Sequence, residues 1–134
     1  MIVVDTNVIV SFCTRADATE LARQAMRKDA DWIAPPLWLS EMRNVLATMI
    51  RVRTIGYDHA MAVLDEAEDL MAGHTYATPS SDIMEIARDS GLSAYDSEFV
   101  ALAIETRTAL ITLDKRLALR FPGVATPLER FVGA

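Results

Sequence analysis

The chain has a single cysteine, Cys13, in 134 residues. That excludes an internal disulfide and any cysteine-rich zinc site. Cys13 reads as a small buried apolar residue, suited to a reducing compartment. No apolar run approaches the roughly 20 residues needed to span a bilayer. No long polar tract suggests disorder, and there is no internal repeat, low-complexity segment or linker. The opening Met1-Ile2-Val3-Val4-Asp5 has no basic lead and meets an acid at once, so it is not read as a secretory leader. Histidine is scarce too: His59 and His74 are far apart in sequence and read as surface or packing residues, against a histidine-based, metal-free mechanism. These absences predict a cytoplasmic protein with no membrane contact.

About half of the residues are hydrophobic, enough for a sizeable core in one domain over residues 1–134. The net charge of −6 is awkward for binding an anionic polymer, since Lys and Arg normally carry phosphate contacts. The positions of the acids therefore matter more than their number.

Short apolar runs alternate with helical patterns. Ile2-Val3-Val4 reads as a buried strand ending at Asp5, and Trp32-Ile33-Ala34 as a second closed by Pro35-Pro36. Thr75-Tyr76-Ala77 reads as a brief strand, Ala109 to Leu113 as a strand running into Asp114, and Val124 to Thr126 as a last one. Helical spacing covers 18–28, 37–50, 57–71 and 79–90, with Gly91 as a stop. Ser93 stands three residues before Asp96 in a capping-box pattern, placing Asp96 in a first helical turn. A short helix spans 115–120, and 128–132 reads as a packed tail. The alternation predicts an α/β fold with a parallel sheet covered on both faces. Ligands in such sheets bind at the carboxyl ends of the strands.

Asp5 and Asp114 each end a strand at that edge. Glu41 and Asp96 each sit near a helix start. Taken singly, each acid has an ordinary explanation as a helix cap or a first-turn acid facing the helix dipole. Together they place several carboxylates on one edge. Crowded carboxylates repel and raise at least one pKa. Carboxylate oxygens suit Mg2+ or Mn2+, whose charge offsets that repulsion.

Four segments carry a resemblance. Ile2-Val3-Val4-Asp5-Thr6-Asn7 resembles the first motif of PIN-domain nucleases. The stretch from Pro35 to Leu46, containing Glu41, resembles their second. Tyr95-Asp96-Ser97-Glu98-Phe99-Val100-Ala101-Leu102-Ala103 resembles the third, and Leu110-Ile111-Thr112-Leu113-Asp114-Lys115-Arg116-Leu117 the fourth. The match spans essentially the whole chain, in order. The compact length is most similar to the VapC toxins of toxin–antitoxin pairs.

The resemblance implies a three-layer α/β/α PIN domain with a central parallel sheet of about five strands. It also implies a Mg2+- or Mn2+-dependent endoribonuclease acting as a type II toxin that inhibits translation. Asp5, Glu41, Asp96 and Asp114 fall on the family's acidic positions, with Asp5, Asp96 and Asp114 as metal ligands. Thr6, Asn7 and Thr112 fall on its supporting polar positions. Glu98, two residues beyond Asp96, is expected on another helix face. Lys115, Arg116 and Arg43 are the basic candidates for RNA contact. A homodimer and a VapB-type antitoxin are implied as partners, with Trp32, Trp38, Met42, Leu46 and Met49 as candidate apolar surface for them. The competing readings are a receiver-like or phosphatase-like domain phosphorylated on Asp5, and a catalytically silent PIN-like scaffold.

Overall fold

A computed structural model describes residues 1–133. Strand β1 (Ile2–Val4) leads into helix α1 (Thr6–Cys13), then α2 (Thr19–Lys28) and β2 (Trp32–Ile33). Three helices follow, α3 (Leu37–Arg51), α4 (Tyr57–Met71) and α5 (Ser80–Ser90), before α6 (Ala94–Thr106). The chain ends with β3 (Leu110–Thr112), α7 (Lys115–Arg120), β4 (Ala125–Pro127) and α8 (Leu128–Gly133).

The strands form one parallel sheet in the order β2-β1-β3-β4. β1 and β3 are buried along their whole length, as the apolar runs require of a sheet covered by helices. The expected count of about five strands falls to four among the described residues. The segment read as a strand at 75–77 contributes only a parallel bridge between Thr75 and Ala34. It is held by Ala34 N donating to the His74 carbonyl and Tyr76 N to the Ala34 carbonyl, both at 3.1 Å.

The core joins the sheet to the helices through Trp32, Phe99, Ile9, Ile33 and Met42, all fully buried. The Phe12 ring meets Trp32 edge-on at 5.3 Å. The surplus apolar surface expected at Trp32, Trp38, Met42 and Leu46 is not there. All four are buried in the core, and Met49 is packed against it. Apolar spacing shows which helix face is buried but not whether a chain's own sheet is large enough to cover it.

Two adjoining helix ends set the position of Asp96. Gly91 closes α5 in the left-handed region at φ 73°, where glycine carries no Cβ penalty. Ser93 then starts α6, its Oγ accepting from Asp96 N at 3.0 Å. No helix among the described residues is long and apolar enough to cross a membrane.

Candidate active site

β1 sits between β2 and β3, and the chain leaves β1 toward β2 but leaves β3 toward β4. The strand order reverses there, and parallel α/β sheets bind their ligands outside the carboxyl ends of the strands at such a point. Asp5 and Asp114 stand at that point. Asp5 N donates to the Ile111 carbonyl at 2.9 Å, which sets Asp5 beside Thr112.

Asp5 caps α1, its Oδ1 accepting from Thr6 N at 2.8 Å. Its Oδ2 accepts from the buried Thr112 hydroxyl at 2.7 Å and from Asn7 Nδ2 at 3.4 Å. Thr112 Oγ1 also accepts from Asp114 N at 2.9 Å, so one hydroxyl ties both strand-end acids together. Asp114 caps α7, its Oδ1 accepting from Arg116 N at 2.9 Å and Leu117 N at 3.2 Å. Asn7 Oδ1 accepts from Leu113 N at 3.2 Å, a second link between the two strand ends. The capping roles at Asp5 and Asp114 are thus real. They fix each carboxylate through one oxygen rather than competing with a role at the site.

Glu41, on the second turn of α3, is held by the Thr6 hydroxyl, which donates to its Oε1 at 2.7 Å. Thr6 therefore links Asp5, through its backbone N–H, to Glu41, through its side chain. Asp96 enters from the first turn of α6.

The electrostatics show that the acids sense one another. Burial pushes the Asp5 carboxyl up to about 6, with the charges of Glu41 and Asp96 adding to the rise against the Thr112 and Thr6 hydrogen bonds. Burial also raises Glu41, helped by Asp96 and Glu98 and opposed by Thr6. Asp96 is raised by burial and by the charge of Asp114, while Arg116 and Ser93 pull it down. Among the described residues, none of the four acids is within ion-pair distance of a lysine, arginine or histidine. The neighbours of Asp5 are hydroxyls, amides and acids, which removes the receiver-like reading with its partner lysine.

The cluster is looser than a cage. Among the described residues, no group of three or more His, Cys, Asp or Glu side chains is drawn together tightly enough to hold a metal directly. Mg2+ does not demand such a cage, since it usually keeps several waters and takes only one or two carboxylates. The donors here are hard carboxylate oxygens with no lysine, arginine or histidine within ion-pair distance among the described residues, and they fit such an ion.

Glu98, read as a surface or supporting residue on another helix face, bears on the site through its charge. It is half-buried, burial raises its own carboxyl, and its charge reaches Glu41. Lys115 and Arg116 are exposed at the start of α7, next to Asp114. Arg43 lies 3.9 Å from Glu68 of α4 and is partly committed there. His74 Nδ1 lies 3.5 Å from Asp31, and His59 is exposed on α4, both apart from the acids.

A parallel α/β sheet with acids gathered at its switch point defines the class. The PIN domain family model matches residues 2–121, and the chain belongs to that family. Ribonuclease VapC3 of Pyrobaculum aerophilum is 30% identical over 129 residues, which cover 94% of this chain and 98% of the relative. The crystal structure of PAE2754 from Pyrobaculum aerophilum superposes with a TM-score of 0.79 at 18% identity, covering 98% of this chain and 92% of the other. That second likeness speaks to the fold alone.

Proposed function

We propose that this chain is a Mg2+- or Mn2+-dependent endoribonuclease, acting as the toxin of a type II toxin–antitoxin pair that inhibits translation. The observation that carries the reading is the electrostatic coupling of Asp5, Glu41, Asp96 and Asp114, with no lysine, arginine or histidine within ion-pair distance of any of them among the described residues. The relative named as a ribonuclease supports RNA as the substrate.

Asp5, Asp96 and Asp114 would hold the ion, with water filling the remaining positions. When bound, a divalent ion supplies positive charge that polarises a phosphodiester, eases ionisation of water and steadies the leaving oxygen. The protein's own part is positional. Thr112 holds Asp5 and the Asp114 backbone in one register, and Thr6 fixes Glu41 through Oε1. Glu41 Oε2 is left to orient the attacking water and accept its proton. Hydrolysis in line leaves a 5′-phosphate and a 3′-hydroxyl. Lys115 and Arg116 supply local positive charge for the RNA backbone, with Arg43 a third contributor; Arg116 already acts on Asp96. A homodimer and a VapB-type antitoxin are the proposed protein partners, in the cytoplasm. Exposed Val52, Tyr57 and Met61 offer apolar surface on and beside α4.

The looseness of the acid cluster favours one second reading, a catalytically silent scaffold. Sequencing RNA ends after brief expression separates the two. Wild type should generate new 5′-phosphate ends that Asp96→Asn does not. Identical ends from both proteins would overturn the nuclease reading.

A further inference from the structure

The acids lie at the carboxyl ends of the strands. The opposite edge carries a second polar concavity of about 450 Å³, lined by Arg107, Thr108, Gly123, Val124, Thr126 and Arg130 among others. Thr108 and Val124 lie just before β3 and β4, so this cavity opens at the amino ends of those strands. Asp114 lies six positions beyond Thr108 along the chain, roughly 20 Å at the rise of a strand.

Its charge is unlike that of the other concavities. Arg15 and Arg23 line a hollow that also holds Asp17 and Glu20. Arg120 lines another that holds Asp82, Glu85 and Asp89. Two exposed arginines line this one, and its lining holds no acid. Neither guanidinium has an ion-pair or hydrogen-bond partner among the described residues, although acids outnumber bases in the chain by 19 to 13.

Arg107 also has an uncommon backbone. It ends α6 in the left-handed region at φ 55°. Glycine or asparagine is the usual choice there, because the Cβ of other residues crowds the following carbonyl oxygen. A cation near a helix C-terminus does gain from the dipole. Here, however, backbone groups already satisfy the end: Arg107 N donates to the Ile104 carbonyl at 3.2 Å and Thr108 N to the Ala103 carbonyl at 3.1 Å. The guanidinium is not needed as a cap. Thr126 also lines the cavity, and its hydroxyl has no hydrogen-bond partner among the described residues and remains a free donor. The Thr108 hydroxyl is not free, because Thr106 spends its proton on the Leu102 carbonyl and takes a hydrogen bond from Thr108 at 2.9 Å.

We propose that Arg107, Arg130 and Thr126 form a phosphate-binding site at the amino edge of the sheet, remote from the acidic cluster. Two guanidinium forks match the oxygens of a phosphate group, and a hydroxyl adds a third donor. The phosphate belongs either to a free small anion or to a nucleic-acid backbone. This site needs no divalent ion and stands whether or not the acids cleave RNA.

The test is amide NMR of the full chain in EDTA, titrated with inorganic phosphate and, separately, with an unstructured RNA octamer. Resonances of Arg107, Thr108, Gly123 and Arg130 should move saturably. The pair Arg107→Gly and Arg130→Gln should weaken that binding at least tenfold. Arg107→Gly suits the left-handed backbone, and an otherwise unchanged spectrum shows that the fold survives. RNA moving these resonances at lower concentration than phosphate assigns the site to a nucleic-acid backbone. Movement with phosphate alone assigns it to a small anion. Stillness with both probes, or equal binding by the doubly substituted protein, overturns the proposal.

Discussion

Replacing Asp5 with asparagine should make the metal-free protein more stable at neutral pH. The folded carboxyl titrates near 6 against an ordinary value of 3.8. Between those values the folded chain holds a proton that the unfolded chain has lost, so stability falls as pH rises and levels off above 6. A displacement of two units costs about 3 kcal/mol at pH 7.5. Asparagine removes that cost. Its single carbonyl oxygen serves either the Thr112 hydroxyl or the Thr6 N–H but not both, losing about 1 kcal/mol. The net gain is about 2 kcal/mol. Urea unfolding in EDTA at pH 7.5 and pH 5.0 measures it. Wild type should gain about 1.5 kcal/mol on going to pH 5.0. The variant should gain less, keeping the same-signed slopes of Glu41, Asp96 and Glu98, which are also raised. A variant less stable than wild type at pH 7.5, with an unchanged slope, would refute the reasoning.

Other substitutions probe the supporting bonds. Thr112→Val removes the donor that holds the Asp5 carboxyl down and leaves Asp114 N without its partner. It should cost about 1–3 kcal/mol and move the acid limb of the pH–cleavage profile to higher pH. Ser93→Ala removes the α6 cap, costing about 1 kcal/mol; amide exchange at Asp96 should quicken, and cleavage should fall more than stability does. Phe99→Ala, in the middle of the core, should cost about 3–5 kcal/mol, read as a lower urea midpoint with an unchanged slope. Charge reversal at Lys115 and Arg116 should weaken RNA binding and flatten its salt dependence.

The sheet edge that carries the acids is legible in the sequence because two hydrophobic runs end in or beside an aspartate. Ile2–Val4 and Leu110–Thr112 are short and fully buried, and the apolar runs mark the first in full and the second to within a residue at each end. Asp96 is placed by Ser93, a local capping signal that does not depend on the rest of the fold. Pro36 marks the start of the helix bearing Glu41 to within a residue. Features set by distant neighbours are less legible. Residues 8–10 simply continue an apolar pattern, yet they belong to α1, because Asp5 caps a helix there. Leu128–Gly133 is a helix rather than a mere tail, too short for periodicity to reveal. The strand expected at 75–77 shrinks to one bridge, whose partner, Ala34, is distant in sequence. The two threonines that bind the acids together, Thr6 and Thr112, are marked only by the family resemblance; their hydrogen bonds need coordinates.

Unfolding free energy as a function of added Mn2+ addresses the metal site itself. At 100 times its dissociation constant the ion should stabilise wild type by about 2.7 kcal/mol, provided the unfolded chain does not bind it. Asp5→Asn and Asp96→Asn should each abolish most of that increment. An increment absent from wild type, or equal in all three proteins, would contradict a shared carboxylate site.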